Sequence, residues 1–388
     1  MKSFDYFAPT RILFGEGKTA EIGRVSARYG QKALLVTVPE FPAMAALYAR
    51  VKESLEQAGV ACAHFDGVIP NPTTDVVTAG AAMAKAFGAQ LVIGLGGGSS
   101  MDTAKAIAVE ATHPGTAWDY NCHTAGPGTR TLPIIAIPTT AGTGSQTTPC
   151  AVITKTADKD KSAIWHENIF PKFAIVDPEN TVTMPPSVTA QTGFDAFCHN
   201  SEAYLSVNTN PLVECMALDA IRIVAEYLPK AIADCNDMDA RSQMAWADTL
   251  GGLTNASAGV TLPHGLGMQI GGHCPHVTHG QALAVFYPAF TRYTCKAAEA
   301  KFARVGRIFD PMLANQTDAV AAMKCCDLLD AFLKRIGLWT SFEKLGVTKE
   351  DIRQIADCGQ VLGDYRNNPR VATIDEMYGL LMDCYSRE

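Results

Sequence analysis

Leu91–Leu95 (LVIGL) is apolar at every position, and it leads through Gly96-Gly97-Gly98-Ser99-Ser100 into a helical pattern over Met101–Ala111. A strand without polar alternation is covered on both faces, the situation of a strand in a parallel sheet flanked by helices. The pattern recurs on either side. Ala33–Thr37 (ALLVT), Ala61–Val68 and Ile134–Ile137 read as strands. Ala43–Ala58 reads as a helix through Met44, Leu47, Val51 and Leu55, and Ala-rich Asp75–Phe87 as another. Ala151–Lys155 and Phe173–Asp177 continue the strands, the last ended by Asp177-Pro178 because proline cannot extend a ladder. After Met184-Pro185-Pro186 the β-like runs nearly vanish. Val188–Leu205, Pro211–Ile232, Ala240–Ala256, Thr317–Ile336 and Ile374–Tyr385 all have helical spacing. The expected fold class is α/β, with a parallel-sheet domain over residues 1–183 followed by an all-helical domain over 184–388.

Composition excludes several function classes. Apolar residues make up 47% and charged residues 18% of the 388, so the chain buries a core and is not disordered. A net charge of −7 argues against a nucleic-acid partner that relies on a strongly basic face. The longest apolar runs fall short of the roughly 20 residues that span a bilayer, and Met1–Arg11 lacks the charged and apolar regions of a secretory signal. Cytoplasmic location is therefore expected, with no membrane partner. The 12 cysteines contain no CxxC pair, and Cys62, Cys198, Cys215 and Cys326 sit in apolar or helical patterns, so the thiols are expected to be reduced and mostly core filling.

Two loops carry ligand chemistry. Three consecutive glycines between a strand and a helix let a ligand approach the backbone, and the helix start presents N–H groups to an anion. Gly96–Ser99 thus reads as a phosphate site, with Asp102 in the first helical turn. Thr139-Thr140-Ala141-Gly142-Thr143-Gly144-Ser145 follows the next strand with four hydroxyls and two glycines, at the strand end where open α/β sheets bind ligands. Together the loops point to one nucleotide held between them.

A second constellation points to a metal. Asp195 and His199 are four residues apart in a helical pattern and share a face, a spacing that fits a chelate or a simple intrahelical pair. His264, His273, His276 and His279 lie in one 16-residue stretch among Leu262, Leu266, Met268 and Ile270. Four imidazoles in apolar surroundings need partners. Asp195, His199 and two of these histidines would form an N₃O set suited to Fe²⁺ or Zn²⁺.

With these features in place the sequence resembles the iron-containing (group III) alcohol dehydrogenases over nearly its whole length. The carrying motifs are GGGSSMDTAKA at Gly96–Ala106, IPTTAGTGS at Ile137–Ser145, VDP at Val176–Pro178 and TGFDAFCHNSEAY at Thr192–Tyr204. HGLGM at His264–Met268, HGQALAVFYP at His279–Pro288 and Asn367-Asn368-Pro369-Arg370 complete the set. The resemblance implies a Rossmann-like N-terminal domain and a helical C-terminal domain, the architecture of the dehydroquinate synthase-like superfamily. It also implies NAD or NADP with a divalent metal, Fe²⁺ first and Zn²⁺ next, and a homodimer or larger homo-oligomer. Its metal ligands map onto Asp195, His199, His264 and His279. The spacing from His264 to His279 is one residue longer than the family's, which leaves His276 or His273 as a substitute. Its cofactor residues map onto Asn71, Gly97, Gly98, Ser99, Asp102, Thr139, Thr140, Thr148 and Lys161.

The implied activity is hydride transfer between NAD(P) and a primary alcohol/aldehyde pair, on a small-molecule substrate. The alternatives are a polyol (glycerol-type) or hydroxy acid/semialdehyde dehydrogenase and, less favoured, a metal- and NAD-dependent lyase resembling dehydroquinate synthase, for which the region holds few basic residues. Two positions depart from the family. Val38 stands where NAD-preferring members often carry an Asp, which keeps NADP open. Met268, which cannot relay a proton, stands where several members carry a histidine; His276, or His273, is the expected proton relay if it is not a ligand.

Overall fold

The computed structural model describes residues 3–122, 124 and 126–387. The chain divides into two compact units, Ala8–Met184 and Pro185–Glu388, the latter joined by the segment ending at Phe7.

The first unit runs β1 (Arg11–Phe14), α1 (Ile22–Ser26), β2 (Lys32–Val36), α2 (Pro42–Gln57), β3 (Ala61–Phe65), α3 (Thr74–Phe87), β4 (Leu91–Gly96), α4 (Gly98–Glu110), β5 (Ile134–Pro138), β6 (Cys150–Lys155), β7 (Asp160–Trp165) and β8 (Phe173–Val176). Six strands form a parallel sheet in the order β1-β8-β5-β4-β2-β3. The period of two along each strand sorts the side chains into two cores. Ala33, Leu35, Leu91, Ile93, Leu95, Ile135 and Ile137 pack with Leu47, Val51 and Leu55 of α2. Leu34, Val36 and Val92 pack on the other face with Val77 of α3 and Ala104, Ile107 and Ala108 of α4. The continuous apolar runs thus have the cause expected of them, a sheet buried on both sides.

The connections from β2 and from its neighbour β4 therefore leave toward opposite faces of the sheet, α2 to one core and α4 to the other. A crevice at the carboxyl ends of such a strand pair is where open α/β sheets take their ligands. Two expectations need correction. The Ala151–Lys155 strand is not in the parallel sheet: as β6 it pairs antiparallel with β7, whose Asp160–Trp165 sequence gave no strand signal. β1 also escaped notice, being a four-residue edge strand with one exposed and three half-buried positions.

The second unit is helical throughout its described elements: α5 (Pro186–Leu205), α6 (Pro211–Ala233), α7 (Met238–Ala258), α8 (Leu262–His273), α9 (His279–Cys295), α10 (Glu299–Phe309), α11 (Asp318–Arg335), α12 (Lys349–Asp357) and α13 (Ile374–Asp383). Side chains set several starts. Asn210 accepts from the N–H groups of Leu212 and Val213 at α6, Asp237 from Ala240 at α7, and Thr278 forms a reciprocal capping box with Gln281 at α9. α5 packs against α6, α7 and α9 and is buried at every position from Gly193 to Leu205. α8 carries four glycines and is buried at all of its first ten positions, so it has no polar face to give the sequence an amphipathic period. No helix among the described residues is long and apolar enough to cross a membrane.

Candidate metal centre and nucleotide loops

α5 carries Asp195 and His199 one turn apart, as the four-residue spacing demands. His264 lies in the first turn of α8 and His279 opens α9. The folding of these helices brings all four together. Asp195 Oδ1 lies 3.5 Å from His199 Nδ1, 3.3 Å from His264 Nε2 and 3.7 Å from His279 Nε2. Donor atoms of Asp195, His199 and His264 all fall within 4.8 Å of one another, and all three residues are buried.

These separations test whether a metal fits. Ligand bonds of about 2.1 Å in a tetrahedron put donor atoms roughly 3.4 Å apart. The three distances from Asp195 fall around that value, and an N₃O donor set is the chemistry of a first-row divalent ion. The residues fit the group.

The electrostatics agree. Burial pushes the Asp195 carboxyl up, but His199, His264 and His279 outweigh it and hold the group at about 2. Burial pushes the His264 ring down, yet Glu202 and Asp195 raise it to about 10. The pocket is thus strongly disposed to hold positive charge beside Asp195.

Glu202 is the residue that sequence reasoning missed. It is wholly buried on α5. Its Oε1 is 2.7 Å from His264 Nδ1, while its Oε2 accepts from the Thr261 N–H (2.8 Å), the Thr261 hydroxyl (3.2 Å) and the His264 N–H (3.4 Å). A carboxylate on Nδ1 fixes the tautomer that leaves Nε2 for a metal and orients the ring. The available signal was its position, three residues after His199 and seven after Asp195, on the same helix face.

The other histidines of the stretch lie elsewhere. His273 Nδ1 is 3.0 Å from the Gln269 carbonyl, one turn back on its own helix. His276 is exposed with Nε2 3.1 Å from the Leu345 carbonyl, and no hydrogen bond or ion pair among the described residues ties it to the ligand set. Met268 is buried.

In the first unit the glycine loop sits as its spacing requires. α4 starts at Gly98, and among the described residues no side chain caps it, so its first N–H groups are presented without one. The Thr139 N–H donates to the Gly96 carbonyl (2.9 Å), which binds the second loop to the first. A Cβ on Gly98 would stand 2.6 Å from Thr143 Cγ2, so any side chain there would push Thr143 back from the glycine loop. Such a close-walled backbone cradle fits an anionic group. Gly97 faces Thr140 at the same junction, where a Cβ would stand 3.3 Å from the Thr140 side chain. Lys161, from β7, donates to Asn71 Oδ1 (2.7 Å), and Asn71 holds a left-handed φ of 51°.

Asp102 and Thr148 are tied into the wall behind these loops. Asp102 accepts from the Ser145 hydroxyl (2.6 Å) and the Val152 N–H (3.1 Å). Lys105, also missed, is wholly buried, and its ammonium donates to the carbonyls of Ser145 (2.7 Å), Thr148 (3.1 Å) and Cys150 (2.6 Å). It clamps the segment that carries Ser145 and Thr148. Its place three residues after Asp102 in the glycine-loop motif was the signal.

Comparison with known proteins matches residues 9–178 to the family described as iron-containing alcohol dehydrogenase. Residues 189–385 match the C-terminal part of the Fe-containing alcohol dehydrogenase family. The chain is 33% identical over 373 residues to the NAD-dependent methanol dehydrogenase of Bacillus methanolicus, covering 96% of this chain and 97% of that protein. It is 37% identical over 363 residues to the choline dehydrogenase of Bacillus subtilis, covering 92% and 89%. Among solved structures, an archaeal halo-thermophilic alcohol dehydrogenase from a Red Sea brine pool superposes with a TM-score of 0.94 at 34% identity, over 99% of this chain and 100% of that one.

Proposed function

The chain belongs to the iron-containing alcohol dehydrogenase family, and from that premise we propose how its residues share the reaction. It is a metal-dependent oxidoreductase that transfers a hydride between NAD(P) and a primary alcohol/aldehyde pair. The polyol, hydroxy acid and lyase alternatives are not favoured. The named relatives act on methanol and on choline, both primary alcohols.

In our reading residues 184–388 hold the metal through Asp195, His199, His264 and His279, and residues 1–183 hold the nucleotide. The observation that carries the metal assignment is the set of 3.3, 3.5 and 3.7 Å separations around one carboxylate oxygen. When bound, a divalent ion supplies a Lewis acid that lowers the alcohol's pKa, and the nicotinamide supplies the hydride acceptor. The chain's own part is positioning. Glu202 holds His264 Nδ1 and aims Nε2 at Asp195, so that Nε2 is the nitrogen that would give up its proton to a metal. The backbone of Gly97, Gly98 and Ser99 receives the pyrophosphate at the start of α4. Thr139 and Thr140 flank it, Lys161 and Asn71 act as a hydrogen-bonded pair, and Lys105 holds the Thr148 segment in place.

Metal analysis of anaerobically purified protein, paired with NADH and NADPH rates on short aldehydes, tests this reading. About one Fe²⁺ or Zn²⁺ per chain and nicotinamide oxidation on adding aldehyde are expected. Metal-loaded protein inert toward every alcohol and aldehyde overturns it.

We further place the protein in the cytoplasm as a homodimer or larger homo-oligomer. All 12 cysteines are free thiols, as a reducing compartment keeps them. The oligomer rests on the family resemblance alone and is decided by light scattering on the purified protein.

A further inference from the structure

Beside the metal ligands stands a carboxylate that the assignments above do not use. The short 3-10 turn Gly363–Asn367 packs on α8. Gly265, next in sequence to His264, has no side chain there, and a methyl group at that point would lie 3.5 Å from Asp364 Cβ. Asp364 therefore occupies the space over the first turn of α8, within the electrostatic reach of His264 and Glu202.

The turn is fixed in place. Asn367 donates to the Val260 carbonyl (2.9 Å), accepts from the Asn208 side chain (2.9 Å), and takes the Val207 N–H on its own carbonyl (2.9 Å). Asn368 donates to the Thr294 hydroxyl (3.0 Å) and to the Arg370 carbonyl (2.8 Å). Asp364 is thus held ready on a braced support, the condition for discriminating between ligands.

What distinguishes it from its acidic neighbours is that no hydrogen bond or ion pair among the described residues engages its carboxylate. Asp195 is surrounded by three imidazoles, and Glu202 accepts from backbone, hydroxyl and ring. Asp364 is half-buried, and among the described residues it has no hydrogen bond and no ion pair. The cations nearest in sequence are engaged elsewhere. Arg366 Nε donates to the Tyr365 hydroxyl at 3.1 Å, and Arg370 lies 3.8 Å from the Tyr293 ring and pairs with Glu376. Burial pushes the Asp364 carboxyl up to about 6, against the pull of His264 and with the push of Glu202. A bound divalent ion would offset the charges of Asp195 and Glu202. The carboxylate of Asp364 is one negative charge in excess.

We propose that Asp364 is a specificity-determining residue, selecting primary alcohols that carry an ammonium group, whose single positive charge completes the balance of the site. This rests on the alcohol dehydrogenase reading of the same centre. The carboxylate would act through substrate binding, because a fixed cation on the substrate is paired before any hydride moves.

The test compares choline with 3,3-dimethyl-1-butanol, its neutral isostere with carbon in place of nitrogen, on metal-loaded enzyme with NAD⁺. Wild-type kcat/KM should favour choline by about tenfold or more, mainly through KM. Raising the ionic strength should narrow the gap. D364N should bring the ratio of the two values toward one, with D364E retaining part of it. Metal content and Tm of both variants show whether they are folded and loaded. A wild-type enzyme that uses the neutral isostere as well as choline overturns the proposal, as does a preference that survives in D364N. A preference for 1,3-propanediol over both also overturns it, and points to a hydroxyl as the group being read. In these outcomes alcohol oxidation itself persists. If no alcohol reduces NAD⁺, the underlying reading fails instead.

Discussion

The nucleotide loops and the metal centre are built on opposite plans. The loops are local: Gly97, Gly98, Ser99 and Asp102 lie within six residues, and Thr139 meets the Gly96 carbonyl through one backbone hydrogen bond. Their ligand chemistry is mostly backbone N–H groups and the absence of side chains. The metal centre gathers side chains from α5, α8 and α9 over 85 positions, 195 to 279, and each must be aimed. An anion spread over several oxygens can be met by many weak dipoles, whereas a small cation needs a few strong donors at set distances. The first plan tolerates small displacements; the second depends on second-layer groups such as Glu202.

If that contrast is real, damage should be steepest at the metal centre. H264A removes a donor that three helices converge to place. It should cost on the order of 10³ in kcat/KM, several kcal/mol of lost Lewis-acid stabilisation, and lower the metal content measured after dialysis. Full activity with full metal would remove His264 from the ligand set.

E202Q leaves every ligand in place and changes only what stands behind one of them. Metal affinity should fall by about 10–100-fold, read by competition with a chelator. An unchanged affinity would show the centre to be as tolerant as the loops.

Proton competition sharpens the contrast next. In metal-free protein burial pushes the His264 pKa down, but Glu202 and Asp195 carry it to about 10. Below that pH a proton must leave before metal enters, so apparent affinity should rise by about tenfold per pH unit from 7 toward 10. In E202Q the ring loses its main charge partner, and the rise should level off at lower pH. Titrations at four pH values separate the two cases.

The smallest effect belongs to the loops. G98A forces a methyl to within 2.6 Å of Thr143 Cγ2. The Thr143 side chain can yield, at about 1 kcal/mol, or roughly a fivefold rise in KM for the nucleotide, with metal content untouched. A collapse as large as that of H264A would erase the distinction between the two plans.

The same contrast governs what could be read from sequence. The parallel sheet was legible because Leu91–Leu95 and Ile134–Ile137 are apolar at every position, and burial on two faces leaves no other pattern. The glycine loop was legible because it is contiguous. α8 and α9 were not assigned as helices: α8 is glycine-rich and buried all round, and α9 carries Pro288 and is buried on nearly every face. Their histidines could be counted as a cluster, but choosing among them required the resemblance. Position then separated them, since His273 and His276 bond to backbone carbonyls while His264 and His279 face Asp195. Asp364 gave no signal at all. Its meaning comes from a turn laid against Gly265, a contact across 99 positions of chain.

The grouping of the segment ending at Phe7 with the helical unit bears on how the protein is made. Ala8–Met184 is one uninterrupted stretch and can fold as soon as it leaves the ribosome, as domains of this size do. The residues just ahead of Ala8 belong with the last half of the chain, so they must wait through all of that folding before the unit they join exists. Changes in residues 3–7 would therefore disturb the helical unit that gathers the histidines, while the sheet that follows them in sequence forms as before.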